Sequence, residues 1–164
     1  MSIQLDAKRY QVLQGVPAPL LATLSALATP KAYKAGEVIY TENTAATKFY
    51  FLVRGKALFV NEPRPGMTVA LGAIKPGLCF GWSAVLASET YTHTVTCAED
   101  TEVLVLEAAA LREALLASGS EAFPFLINLL ARAVDRLQLR TGQVLCLMRE
   151  NPDLQTLCGG REED

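Results

Sequence analysis

The 164 residues include one histidine, His93, and one tryptophan, Trp82. A metal centre built from two or three histidines and a carboxylate is therefore excluded. The four cysteines (Cys79, Cys97, Cys146 and Cys158) lack C-x-x-C spacing. They read as reduced, mostly buried thiols of a cytoplasmic protein rather than as a zinc site or disulfide framework. No charge of one sign dominates: 15 basic and 17 acidic residues leave a net −2, which is not a nucleic-acid-binding footprint. No apolar run approaches the ~18 residues of a membrane span, and Met1 to Arg9 lacks the apolar core of a secretory signal. No nucleophile elbow, phosphate-binding loop or paired-carboxylate motif is present, so enzymatic activity is not expected. What the chain does have is a hydrophobic content of 51%. A chain of this length buries roughly 70% of its unfolded surface and needs no covalent staple.

The hydrophobic period changes twice. Leu5 to Leu13 is a weakly amphipathic start. Leu20, Leu21, Leu24 and Leu27 then share one helical face, with Pro19 in the first turn, where its missing N–H does no harm. Pro30 ends that element. From Lys34 to Leu106 short apolar runs alternate with turn residues. Val38–Tyr40, Phe49–Val53, Lys56–Val60, Thr68–Leu71, Thr92–Cys97 and Val103–Leu106 read as strands. Arg54-Gly55 looks like a tight hairpin, and Pro63 to Gly66 like a longer hairpin tip. Short strands at this spacing suggest a β-barrel or double-sheet jelly roll.

After Leu106 the helical period returns. Ala108 to Ala117 has high helix propensity and is broken by Gly119. A long helix follows from about 124 to 148, with Pro124 in its first turn. Leu126, Leu130, Ala133, Leu137, Arg140, Val144 and Leu147 step along it by four and three. That is a heptad seam with one polar member, the pattern of a helix that pairs with a second copy of itself. The alternative is a helix lying on its own β-roll. Residues 150–164, with Pro152, Gly159, Gly160 and an acidic end, read as a flexible tail.

Five pieces in order carry a resemblance. They are Gly36-Glu37-Val38-Ile39-Tyr40-Thr41-Glu42-Asn43, Phe49 to Gly55, Gly77-Leu78-Cys79-Phe80-Gly81, Thr94-Val95 and Glu102 to Leu106. Together they resemble the cyclic-nucleotide-binding domain of the catabolite-activator and fumarate–nitrate regulator superfamily. The resemblance implies a mainly β fold with flanking helices: a double-stranded β-helix, or jelly roll, at about 34–107. It continues into the long helix, so that 1–149 forms one domain.

In that superfamily a Phe-Gly-Glu loop opens the phosphate-binding cassette. Its glutamate binds the ribose hydroxyl, and an arginine further on pairs with the cyclic phosphate. Here the loop reads Phe80-Gly81-Trp82, so Trp82 holds the glutamate position and Tyr91 the arginine position. A buried anion needs a cation and N–H donors to offset desolvation. Losing two charge-assisted contacts weakens binding on the order of a hundredfold or more. The residues that remain as candidate ligand contacts are Gly81, Trp82, Ser83, Ala84, Thr90, Tyr91, Thr92 and Thr94. The amides after Gly81 would favour an anion at a helix start, the hydroxyls would donate, and Trp82 would line or plug the pocket. By resemblance, Arg140 and Thr141 would reach a ligand across a dimer; the alternative is that they face solvent. Strand alternation sets His93 opposite Thr92 and Thr94, so His93 points away from any pocket those threonines line.

The expected function is a regulatory sensor for a cyclic nucleotide or other small anionic ligand. The alternatives are a degenerate dimerisation or protein-interaction module, and a haem-type sensor that uses His93 or a cysteine. No cofactor is assigned. The expected partners are a second copy, through helix 124–148, and a separate protein. DNA-binding members of the superfamily carry a winged helix-turn-helix after the long helix. The acidic stretch after Arg149 offers neither the length nor the period for one, so direct DNA binding is not expected, and neither is membrane association.

Overall fold

The computed structural model describes residues 5–86 and 90–151. Eight strands form two four-stranded antiparallel sheets. We label them β1 (Thr29–Tyr33), β2 (Val38–Tyr40), β3 (Lys48–Arg54), β4 (Ala57–Arg64), β5 (Met67–Ile74), β6 (Cys79–Phe80), β7 (Thr94–Cys97) and β8 (Thr101–Glu107). The first sheet runs β1-β8-β3-β6 and the second β2-β7-β4-β5. This is the expected jelly roll with flanking helices: α1 (Ala18–Leu27), α2 (Ala108–Ala117) and α3 (Phe123–Glu150). Gly119–Ala122 forms a 3₁₀ turn between α2 and α3.

Strand β3 shows why the roll holds together. Its sequence Lys48-Phe49-Tyr50-Phe51-Leu52 is apolar almost throughout, because both faces are covered. Phe49 and Phe51 point to the helical side. There Tyr10 meets Phe51 edge-on at 4.9 Å and Phe125 lies 6.1 Å from Phe49. Tyr50 and Leu52 point into the roll, among Ile39, Phe80, Tyr91, Val95 and Val103. One strand thus joins the roll interior to the helical layer.

Three sequence expectations change. Gly55 is not a hairpin turn, since β3 pairs with β8 and β6 whereas β4 pairs with β5 and β7. Residues 55–56 cross from one sheet to the other. Gly55 has φ of 91°, and a Cβ there would sit 2.4 Å from the Asp100 carbonyl oxygen. Its glycine serves close backbone approach at the crossover. The β4–β5 tip is shorter than expected: the strands run to Arg64 and from Met67, leaving Pro65-Gly66 as the turn. Pro30 does follow the end of α1, but it lies inside β1, an exposed edge strand where a missing N–H is tolerated.

The chain divides into two compact units between Asn128 and Leu129. The first unit contains the roll, α1, α2 and the start of α3, which Asn128 fixes by donating to the Val12 and Gln14 carbonyls at 3.3 and 2.7 Å. The second unit is the rest of α3. Along this helix the seam residues Leu126, Leu130, Leu137, Val144 and Leu147 are all exposed in the single chain. Ala133 and Arg140 are half-buried. Among the described residues no helix is long and apolar enough to cross a membrane. Cys79 and Cys97 are buried and in no disulfide. Of the tail, residues 152–164 lie outside the described residues.

Candidate functional site

The cassette begins at Gly81, whose φ of 79° lies in the left-handed region. A Cβ at Gly81 would meet the Lys48 carbonyl at 2.7 Å and the Tyr50 ring at 3.1 Å. Glycine here lets the loop lie directly on β3. Trp82–Ala84 then make a 3₁₀ turn of three residues. Ala84 donates to the Gly81 carbonyl, and both Val85 and Leu86 donate to that of Trp82. Trp82 is half-buried, and its Nε1 donates to the Cys79 carbonyl at 3.1 Å. Ser83 is half-buried and Ala84 fully buried. The Arg112 guanidinium of α2 donates to the Ala84 carbonyl.

Tyr91 is the centre of the site. It is 3% exposed, and its ring stacks on Tyr40 with centroids 3.8 Å apart and planes 12° from parallel. Tyr50 and Phe80 stack at 4.9 Å and 8°, and Tyr40 lies 5.6 Å from Tyr50. Four rings thus meet inside the roll. The Tyr91 hydroxyl donates to the Lys48 carbonyl at 2.9 Å and accepts from the Lys48 amide at 3.0 Å. Burial pushes both phenols above their usual range, Tyr50 most strongly, and the Tyr91 hydroxyl close by adds to the effect at Tyr50. Neither ionises near neutral pH, so the stack carries no charge. The Tyr91 backbone is fixed as well: its amide donates to the Thr44 carbonyl, and its carbonyl accepts from Asn43.

Within β7 Val95 and Cys97 are buried while Thr94 and Thr96 are half-buried, and Tyr91 is buried just ahead of the strand. Thr92 is exposed, and its Oγ1 pairs with His93 Nδ1 at 2.8 Å. Thr94 is half-buried, and its Oγ1 accepts from the Glu42 amide at 2.9 Å. Thr90 is exposed and forms an isolated bridge with Ala45. His93 lies half-buried with its ring edge-on to Phe59 at 5.8 Å. Arg140 and Thr141 belong to the second unit. Arg140 Nη1 donates to Gln143 Oε1 at 2.8 Å, and Thr141 Oγ1 donates to the Leu137 carbonyl. Sequence reasoning missed Tyr40, Glu42 and Asn61; Asn61 Nδ2 donates to Glu42 Oε2 at 2.8 Å. Only strand pairing could reveal that contact.

The profile described as "Cyclic nucleotide-binding domain" matches residues 30–118, more than half of the chain. The chain belongs to the cyclic nucleotide-binding domain family. Its fold recurs in solved structures of low sequence identity. A cyclic nucleotide-binding protein of Geobacter metallireducens is 20% identical with a TM-score of 0.70, the match covering 81% of this chain and 98% of that one. The catabolite activator protein of Thermus thermophilus is 22% identical with a TM-score of 0.68, over 83% of this chain and 62% of that one. The sensor domain of the transcriptional regulator DNR of Pseudomonas aeruginosa is 17% identical with a TM-score of 0.67, over 82% and 88%. No curated protein sequence gives a significant match. Within this cyclic nucleotide-binding fold the short turn at Trp82–Ala84 follows Gly81, and the stacked rings lie inside the roll.

Proposed function

We propose that this chain is a non-enzymatic, cytoplasmic regulatory module whose roll reads a small ligand other than a 3′,5′-cyclic nucleotide. The observation that carries the reading is the burial of Tyr91 against Tyr40, with its hydroxyl tied to both the amide and the carbonyl of Lys48. A cyclic phosphate placed there would give up its hydration and meet aromatic carbon instead of a cation. The candidate ligand contacts remain Gly81, Trp82, Ser83, Ala84, Thr90, Tyr91, Thr92 and Thr94.

The output route runs through covalent continuity. Arg112 ties the cassette carbonyl of Ala84 to α2, and α2 leads through Gly119–Ala122 into α3. A ligand shifts that helix only as far as it binds one helix position more tightly than the other. The exposed leucines of α3 favour homodimerisation through this helix, with the signal passed to a protein partner rather than to DNA. Titration calorimetry with cAMP and cGMP tests the reading: neither gives saturable heat with the native chain. The double variant Trp82→Glu with Tyr91→Arg, which supplies the ribose acceptor and the phosphate cation, gains cAMP binding on the order of a hundredfold. Micromolar binding of either nucleotide by the native chain overturns the reading.

A further inference from the structure

We infer that a second copy of the chain pairs with α3 as a parallel, in-register two-stranded coil whose seam runs through Leu130, Val134, Leu137, Thr141 and Val144 and leaves Arg140 outside. The inference rests on the reading above that the chain dimerises through α3, and it names the face and the direction of that pairing.

Two heptad lines fit the exposed apolar residues of α3. Leu130, Leu137 and Val144 belong to both. The line expected from the sequence completes them with Leu126, Ala133, Arg140 and Leu147. The line one residue further on completes them with Ile127, Val134, Thr141 and Met148. Each line spans about 100° of the helix surface, so spacing alone does not choose between them. The side chains do. Ala133 and Arg140 are half-buried in the single chain, whereas Ile127, Val134 and Thr141 are exposed. Arg140 Nη1 donates to Gln143 Oε1 at 2.8 Å. Gln143 comes two residues after Thr141 and so lies across the helix from it, which turns the guanidinium away from the line of Leu137 and Val144. Thr141 Oγ1 donates to the Leu137 carbonyl at 3.0 Å, within the helix. Covering Thr141 therefore strands no hydroxyl donor, whereas covering Arg140 would desolvate a full charge.

Residue type then names the occupant. On this line Ile127, Val134 and Thr141 take the first core position of each heptad, and all three are β-branched. Leu130 and Leu137 take the second. β-branched residues at the first position with leucine at the second favour two parallel strands. In that arrangement each first-position residue faces its own counterpart, which a second copy supplies. Leu126, Leu145 and Leu147 flank the seam. With them, the exposed apolar surface of the face is on the order of 700 Å² per copy, close to the ~800 Å² per partner that a stable complex buries. The single polar member, Thr141, sets the register at some cost in stability.

The test is disulfide cross-linking of the full chain carrying Cys146→Ser and Cys158→Ser, with the mass read in parallel by sedimentation. Val134→Cys and Thr141→Cys each oxidise to a covalent dimer, because facing first-position residues of a parallel coil bring their Cα atoms within the ~6 Å that a disulfide spans. Ala133→Cys and Arg140→Cys cross-link at least about tenfold more slowly, since their Cβ atoms diverge. Thr141→Val tightens the dimer by about three- to tenfold, and Arg140→Ala changes its dissociation constant by less than about threefold. Faster cross-linking at Ala133→Cys and Arg140→Cys, in a chain that sediments as a dimer, overturns this seam and leaves dimerisation standing. A dimer that cross-links at none of the four positions overturns the parallel pairing and again leaves dimerisation standing. A chain that sediments as a monomer overturns the dimerisation reading and the seam with it.

Discussion

The roll interior and the long helix are both rich in large apolar residues, yet they treat them in opposite ways. In the roll, Tyr40, Tyr50, Phe80 and Tyr91 find partners within the same chain, and their rings stack in pairs. On α3, Leu130 and Leu137 remain 59% and 66% exposed, and Leu126, Val144 and Leu147 repeat the pattern. Apolar side chains spaced by four and three on one face form a stripe that gains stability only when covered. The roll thus covers its large apolar rings within the chain, whereas the α3 stripe stays exposed in the single chain.

The largest expected effect tests the helix side of this contrast. Leu130→Asp would place a charge in the seam of each copy, and a buried unpaired charge costs several kcal/mol. Dimers should dissociate by at least about a hundredfold, read as monomer mass by light scattering or sedimentation. Leu116→Asp is the control: Leu116 is even more exposed, at 82%, but lies on α2 outside the seam, and should leave the mass unchanged. A Leu130→Asp chain that stays dimeric breaks the comparison, because the exposed stripe would then have another purpose.

The roll side gives the next effect. Tyr91→Ala removes a buried ring from the stack and should destabilise by about 3–5 kcal/mol. Tyr91→Phe keeps the ring but leaves the Lys48 amide and carbonyl without the hydroxyl they share. It should lose about 1–2 kcal/mol. Denaturant unfolding of the two variants separates packing from hydrogen bonding. If both lose the same amount, the hydroxyl and not the stack holds the cassette closed.

The sequence made the roll readable through strand alternation and turn glycines, and the helices through their period and proline placement. Gly55 was misread because Arg-Gly between apolar runs looks alike in a hairpin and in a crossover. Only the pairing of β3 with β8 tells them apart. Strand β1 was hidden by its exposure, which removes the apolar signal, and by Pro30. At the site, the absence of arginine at Tyr91 was legible from order alone. Its burial was not, because that depends on Tyr40, which lies far back in the chain and meets it only through β7. The Glu42–Asn61 contact was beyond reach for the same reason.

The smallest effect marks where burial stops mattering. Lys34 Nζ and Asp100 Oδ2 are 2.8 Å apart at the surface, with side chains 79% and 65% exposed. Asp100 also accepts from the Ala35 amide at 3.1 Å. The Lys34 ammonium first, and the Ala35 amide second, hold the Asp100 carboxyl below its usual range. Asp100 in turn holds Lys34 above its own. A lowered carboxyl gives stability that is present above its unfolded pKa and lost as pH falls through its folded one. A raised ammonium gives stability that is present below its unfolded pKa and lost as pH rises through its folded one. The pair therefore contributes across the neutral range and fades at both extremes. Water and salt screen it, so Asp100→Asn should move the melting temperature at pH 7 by no more than about a degree. It should also flatten the acid limb of the stability curve slightly. A drop comparable to that of Tyr91→Phe would show that the β7–β8 turn, against which Gly55 packs at the sheet crossover, depends on this pair as strongly as the cassette depends on its stacked rings.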